Sequence, residues 1–236
     1  MNNGVYDHKK NLASVSLFNR IAYNWPIKHD EADYDDFMAV VNKQAGLLES
    51  EIAELDKNLA DGKCCRDDYA DILYVAYGLA YRVNGNRQLL QKLEVCECGK
   101  DKNLTSGNIV HTLRTELSHA VTAFEDRRYN SAISSITCLI NIVEIYVMNE
   151  DEETPQADIE LVCAANLAKF DDNLADAELT VDAYKAKGIE TEYRINTVDA
   201  VQYFINVSSK DQWIGKKDFP KDKVLKSHKW SEPVFN

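Results

Sequence analysis

The sequence predicts a mainly helical protein, an antiparallel helical bundle with a small β-hairpin and a basic tail at its C-terminal end. Three observations carry this. Apolar residues recur at helical spacing through most of residues 34–190. Connections between the periodic stretches are short, which favours antiparallel neighbours. Alternation of period two is confined to residues 192–207.

The first strong helix begins after Asp33-Tyr34-Asp35, whose carboxylates cap the exposed N–H groups. Phe37, Val40, Val41, Leu48, Ile52, Leu55 and Leu59 form its apolar stripe, and Asp61-Gly62 ends it. A second helix runs from Arg66 to Val83 with Tyr69, Ile72, Leu73, Ala76 and Ala80 on one face, closed by Asn84-Gly85-Asn86. Thr105-Ser106-Gly107-Asn108 opens a third, carrying Ile109, Leu113, Leu117, Val121 and Phe124. Asp126-Arg127-Arg128 turns it into a fourth with Ile133, Ile136, Ile140, Val143 and Val147. The segment Leu113–Arg128 echoes Leu48–Lys63, with Glu116 in the place of Glu51. A faded internal duplication and two unrelated amphipathic hairpins both account for the echo. Glu150–Glu153 with Pro155 reads as a loop, followed by helices over Ala157–Asp171 and from Asn173 to Gly188. Domain limits follow: 1–190 for the bundle, with hairpins at 34–85 and 105–150, and 191–236 for the β-hairpin and tail.

Charge and composition exclude several functions. The net charge is -12, which disfavours binding to a nucleic-acid polymer. The charge is uneven, because residues 210–229 hold seven lysines against three aspartates, leaving about -16 on the remainder. The longest uncharged apolar run, Ile72–Tyr81, is far short of the ~20 residues of a membrane helix, so no membrane partner is expected. No secretory leader is read at the N-terminus, and the six cysteines are expected as free thiols in a cytoplasm. Cys64-Cys65 and Cys96-Glu97-Cys98 lack the C-x2-C spacing of a zinc knuckle. No P-loop or dinucleotide glycine motif is present. His111 and His119 are expected at exposed or core-edge positions.

One constellation suits chemistry. Glu51 and Glu54 are i,i+3 on the first helix, and Asp68 and Asp71 are i,i+3 on its antiparallel partner. Glu54 and Asp71 lie at comparable distances from the turn, which brings four carboxylates to one helix–helix groove. Crowded carboxylates raise one another's pKa, and a hard divalent cation such as Mg2+ relieves them.

Glu51-x-x-Glu54 followed by Asp68-x-x-Asp71-Ile-Leu-Tyr-Val resembles the signature of the all-α nucleoside triphosphate pyrophosphohydrolases, the superfamily of MazG, dimeric dUTPases and phosphoribosyl-ATP pyrophosphohydrolases. Asn166-Leu167-Ala168-Lys169-Phe170 is similar to an N-x-x-K-F element of the phosphoribosyl-ATP-like, often phage-encoded branch. Lys223-Val224-Leu225-Lys226-Ser227 is similar to that branch's terminal G-K-x-L-K-S. The resemblance covers about 18–85 and 159–235, with the stretch between as an insertion. It implies a Mg2+-dependent hydrolase, with Mn2+ as substitute, that converts a (d)NTP to (d)NMP and pyrophosphate in a (host) cytoplasm and shapes a nucleotide pool. Glu51, Glu54, Asp68 and Asp71 would hold the metal, with Glu51 or Glu54 as catalytic base. Asn166, Lys169, Lys223 and Lys226 would bind the nucleoside triphosphate, and the chain would form a homodimer or homotetramer. Departures are Ser50 for the family's first glutamate, Asp68 for a glutamate, and Asp222 for the tail glycine. Ser50 and Asp68 favour one alternative, a catalytically weakened member that binds nucleotide or serves in helical assembly; the resemblance itself leaves another, a phosphoribosyl-ATP pyrophosphohydrolase.

Overall fold

The computed structural model describes residues 6–96, 98, 104–149, 155–215 and 217–235. Among them are eight helices: α1 (His8–Ile21), α2 (Tyr34–Ala60), α3 (Arg66–Arg82), α4 (Asn86–Leu93), α5 (Ile109–Glu125), α6 (Tyr129–Asn149), α7 (Pro155–Leu167) and α8 (Leu174–Lys185). Two antiparallel hairpins follow: β1 (Thr191–Val198) with β2 (Val201–Ser208), and β3 (Gln212–Ile214) with β4 (Lys217–Phe219). The mainly helical class with a small hairpin is as the sequence predicts. Contacts divide the chain into two compact units, the first 1–16, 25–162 and 235–236, the second 17–24 and 163–234.

In the first unit, α2, α3, α5 and α6 pack as four helices, with α2 against α3 and α5, and α6 against α3 and α5. Asp33 caps α2 as expected, its side chain accepting from the Asp35 N–H, and Gly62 ends it with φ +66°. The core is the expected apolar stripes: Phe37, Val41, Leu48, Ile52 and Leu55 meet Ile72, Leu73, Ala76, Leu113, Phe124, Ile136, Ile140 and Val143, all buried. The two hairpins therefore form one four-helix core within a single chain. His111 and His119 are exposed, as expected.

Helix α6 is long and apolar enough to cross a membrane by length and composition. Its serines, threonine and asparagines interrupt the apolar run, which is why the uninterrupted Ile72–Tyr81 stands out in the sequence. Most of its apolar window (61%) is buried, against α3, α4 and α5. Two of its hydroxyls are absorbed as helix back-bonds, Ser134 Oγ to Asn130 O and Thr137 Oγ1 to Ile133 O. Helices α1 and α4 were not anticipated. The short α4 carries only Leu89 and Leu93 into the core, and α1 buries Asn11 and Asn19 among its apolar residues, which dilutes the helical period. Gly85 lets α3 turn into α4, since a Cβ there would stand 2.4 Å from Ile133 Cδ1. The loop expected at Glu150–Glu153 lies outside the described residues, and Pro155 occupies the first position of α7.

In the second unit, β1 and β2 pair as the alternation predicts, through a two-residue turn at Asp199 and Ala200 with φ +50° and +65°. Alternation fails at the end of β2, where Phe204 to Ser208 are all buried. Ile205 and Val207 pack with Ile21, Phe170 and Val198. On the other face Asn206 donates to Asp171 Oδ2 at 2.6 Å. The tail runs along β2: Ser208 N donates to Lys223 O and Leu225 N to Asn206 O. The β3–β4 hairpin was not anticipated, being only three residues per strand.

Candidate functional site

The four carboxylates lie in the first unit, on the α2–α3 hairpin, at different depths. Glu54 is exposed, Glu51 and Asp71 are half-buried, and Asp68 is 4% exposed. Asp68 stands in the first turn of α3 and accepts two hydrogen bonds from Asn58 Nδ2, at 3.1 and 3.0 Å. Asn58 lies one helical turn beyond Glu54 on α2. Burial holds the Asp68 carboxyl above its usual range, opposed by Asn58 and the Cys65 thiol and reinforced by the charges of Asp67 and Glu54. Of the four predicted ligands, Glu54 on α2 lies near enough to Asp68 on α3 for its charge to add to that upward shift.

Other expected elements are diverted. Ser50, in place of the family's first glutamate, bonds back to Gly46 O at 3.0 Å. Glu49, the nearest substitute, accepts from Arg114 Nε at 2.8 Å, and the same guanidinium reaches Asp56 at 3.1 Å. Among the described residues, the one set of three ligand-type side chains converging within 4.8 Å is Cys96, Cys98 and Cys138, not the carboxylates. The four predicted ligands on the hairpin nevertheless offer hard oxygen donors, and the most buried of them, Asp68, is met by Asn58 and the Cys65 thiol with the Lys63 ammonium nearby. That donor chemistry fits Mg2+.

The second unit assembles the basic elements. Helix α7 ends at Leu167, not Asp171, so Asn166 closes the helix and Lys169 follows it. A 3.2 Å bond from Lys169 N to Asn166 O still folds them together, and Lys169 Nζ donates to Asn166 Oδ1 at 2.5 Å. Asp171, buried and unremarked in the sequence, joins this element to the tail. It accepts from Thr180 Oγ1 at 2.9 Å, from Asn206 Nδ2, and from Ser227 Oγ. Ser227 N donates to Lys169 O at 3.1 Å. The N-x-x-K-F and K-x-L-K-S segments, far apart in sequence, are thereby fixed side by side.

A cavity of about 750 Å3 opens there, lined by Lys169, Lys187, Lys217, Lys223 and Lys226, one acid, Asp218, and the aromatics Tyr184 and Phe219. Three of the five lysines are those singled out in the sequence. Lys187 lies over Tyr184, Lys223 over Phe219 and Lys226 over Trp230, placements that hold a cation on an aromatic face. Burial pushes the Lys226 ammonium below its usual range, with Lys217 adding to the effect and Glu232 opposing it. Such a cavity can neutralise several phosphate charges and stack a planar ring. Lys187, Lys217 and Tyr184 carry no motif that would have marked them; only the fold gathers them.

No family model matches the chain, and comparison with curated proteins and with solved structures finds no match.

Proposed function

We propose that the chain is a Mg2+-dependent nucleoside triphosphate pyrophosphohydrolase, converting a (d)NTP and water to (d)NMP and pyrophosphate. The observation that carries this reading is the lysine cavity, which draws Lys169, Lys223 and Lys226 together with two further lysines and aromatic walls. Its size falls within the range of small-molecule sites, roughly 300–1,000 Å3. The lysines bind the triphosphate, and Tyr184 or Phe219 offers a face to the base. By the resemblance, Glu51, Glu54, Asp68 and Asp71 would hold the cation. When bound, Mg2+ supplies charge neutralisation to the phosphate oxygens and the pyrophosphate leaving group. Glu51 or Glu54 orients the attacking water and takes its proton as the water bonds to the α-phosphorus and the bond to the bridging oxygen breaks.

A second reading rests on Ser50 and on the engagement of Glu49 and Asp68 with Arg114 and Asn58. These favour a nucleotide-binding protein that does not hydrolyse its ligand. One experiment separates the two: purified chain with Mg2+ and a panel of NTPs and dNTPs, scored for pyrophosphate, with binding measured in parallel. Pyrophosphate release abolished by Glu54→Gln or Asp71→Asn, with helical content unchanged, supports the enzyme. Binding without turnover supports the second reading. Orthophosphate as product, or full activity in both variants, overturns the first.

A further inference from the structure

The sequence reading left six free thiols, and the structure does not keep them apart. Cys98 is joined to Cys138 on α6, with Cα atoms 5.4 Å apart. Cys96 stands beside them, so that all three sulfurs lie within 4.8 Å of one another and are half-buried. Cys64, Cys65 and Cys163 lie elsewhere and are in no disulfide. The spacing of Cys64-Cys65 and Cys96-Glu97-Cys98 speaks against zinc; the third sulfur comes instead from α6, one isolated cysteine in an apolar helix.

A disulfide needs two sulfurs, and the third is what it leaves unexplained. The neighbourhood is also built to hold the loop in place. Asn141, one turn after Cys138 on α6, donates through Nδ2 to Cys98 O at 2.5 Å. Helix α4, which leads into Cys96 and buries Leu89 and Leu93, packs on α6. Two anchors therefore fix Cys96 and Cys98 over Cys138, an arrangement that presents three soft donors to one point.

We propose that the reduced chain binds one thiophilic divalent cation, Zn2+ or its equivalent, through Cys96, Cys98 and Cys138. Three thiolates leave one position of a tetrahedral Zn2+ for water or an added ligand. The site exchanges with the disulfide. A dithiol reductant passes two electrons and two protons to Cys98–Cys138, becoming a disulfide itself. The two resulting thiols and the thiol of Cys96 then lose three protons as three Zn–S bonds form. This cation is distinct in chemistry from the hard cation assigned to the α2–α3 carboxylates, since thiolates select soft metals and carboxylates select hard ones.

The test uses the full chain, reduced and handled without oxygen, titrated with Co2+ and then Zn2+. The expected result is one equivalent of Co2+ with a sulfur-to-metal charge-transfer band and the ligand-field bands of a tetrahedral site, both displaced by Zn2+. Cys96→Ser, at a half-buried loop position, removes most of the charge-transfer intensity with helical content retained. Asn141→Ala, which frees the loop without touching a sulfur, weakens Zn2+ about ten- to a hundredfold. Cys163→Ser changes neither band. Absence of the bands in the reduced wild type, or a Cys96→Ser chain that binds as tightly as wild type, overturns the proposal. So does binding that Cys163→Ser abolishes.

Discussion

Asp68 shows how much one side chain's surroundings decide. A carboxylate in the first turn of a helix is favoured by the exposed N–H groups there, yet burial outweighs that and holds Asp68 above its usual range. The consequence for stability has a fixed sign. The folded chain retains the Asp68 proton at pH values where the unfolded chain has released it, so this group's contribution is greatest below the unfolded pKa and is lost as pH rises through the folded one. Replacing it by Asn removes that loss. In urea unfolding, Asp68→Asn should gain stability relative to wild type as pH rises above about 4, and a constant difference across the range would refute the account. On the proposed reading, Mg2+ bound at Asp68 would reverse the shift, so Mg2+ affinity should rise with pH and its binding should release protons. Cys65, beside Asp68, is pushed up to about 12 by burial and by the Asp68 charge, while Cys64 is exposed. Brief alkylation of the native chain near neutral pH should label Cys64 and spare Cys65, as peptide mass mapping would read.

At the scale of elements, legibility followed the strength of the local signal. Helices α2, α3, α5 and α6 have long apolar stripes and marked ends, and the sequence places all four within a residue or two of their observed limits. The short α4, the asparagine-bearing α1 and the three-residue strands of the second hairpin carry too little periodicity to be seen. The end of α7 was misplaced because Phe170 fits a helical stripe but packs on Phe18 and Tyr203 instead. The site was legible in its motifs and illegible in its connections: Asp171, Asn58 and Cys138 act through partners distant in sequence. The β1–β2 turn is a place where sequence and backbone conflict, since Ala200 adopts φ +65°. A left-handed conformation costs an L-residue roughly 1–2 kcal/mol. Ala200→Gly should therefore stabilise the second unit by about 1 kcal/mol, offset in part by the entropy glycine loses on folding. A lower thermal midpoint for the variant would contradict this. Between α3 and α7, Arg66 grips Asp158 through two bonds of 2.9 and 2.6 Å, with the Asp158 side chain 5% exposed. Arg66→Met would strand that carboxylate and should cost about 3–5 kcal/mol in urea unfolding.

On the scale of the whole molecule, the charge distribution is what bears on function. A net charge of -12 repels a triphosphate at a distance, and the five lysines of the second unit's cavity, set against Asp218, reverse that locally. Binding to this cavity can be read apart from chemistry by titrating a nucleoside triphosphate in EDTA. Affinity should fall steadily as salt rises, because screening over about 8–10 Å weakens each lysine–phosphate attraction. It should also fall as pH rises, and earlier than for ordinary lysines. The Lys226 ammonium sits below its usual range, so it loses its charge first, and bound phosphate, which favours the charged form, loses affinity with it. Lys226→Met should remove that early pH-dependent loss while weakening binding at neutral pH by about 1.5–3 kcal/mol, the worth of a charge-assisted hydrogen bond. That corresponds to roughly ten- to a hundredfold in Kd. A variant that keeps the wild-type pH profile would place the triphosphate elsewhere, whatever the outcome of the turnover assay, because no metal and no hydrolysis enter the measurement.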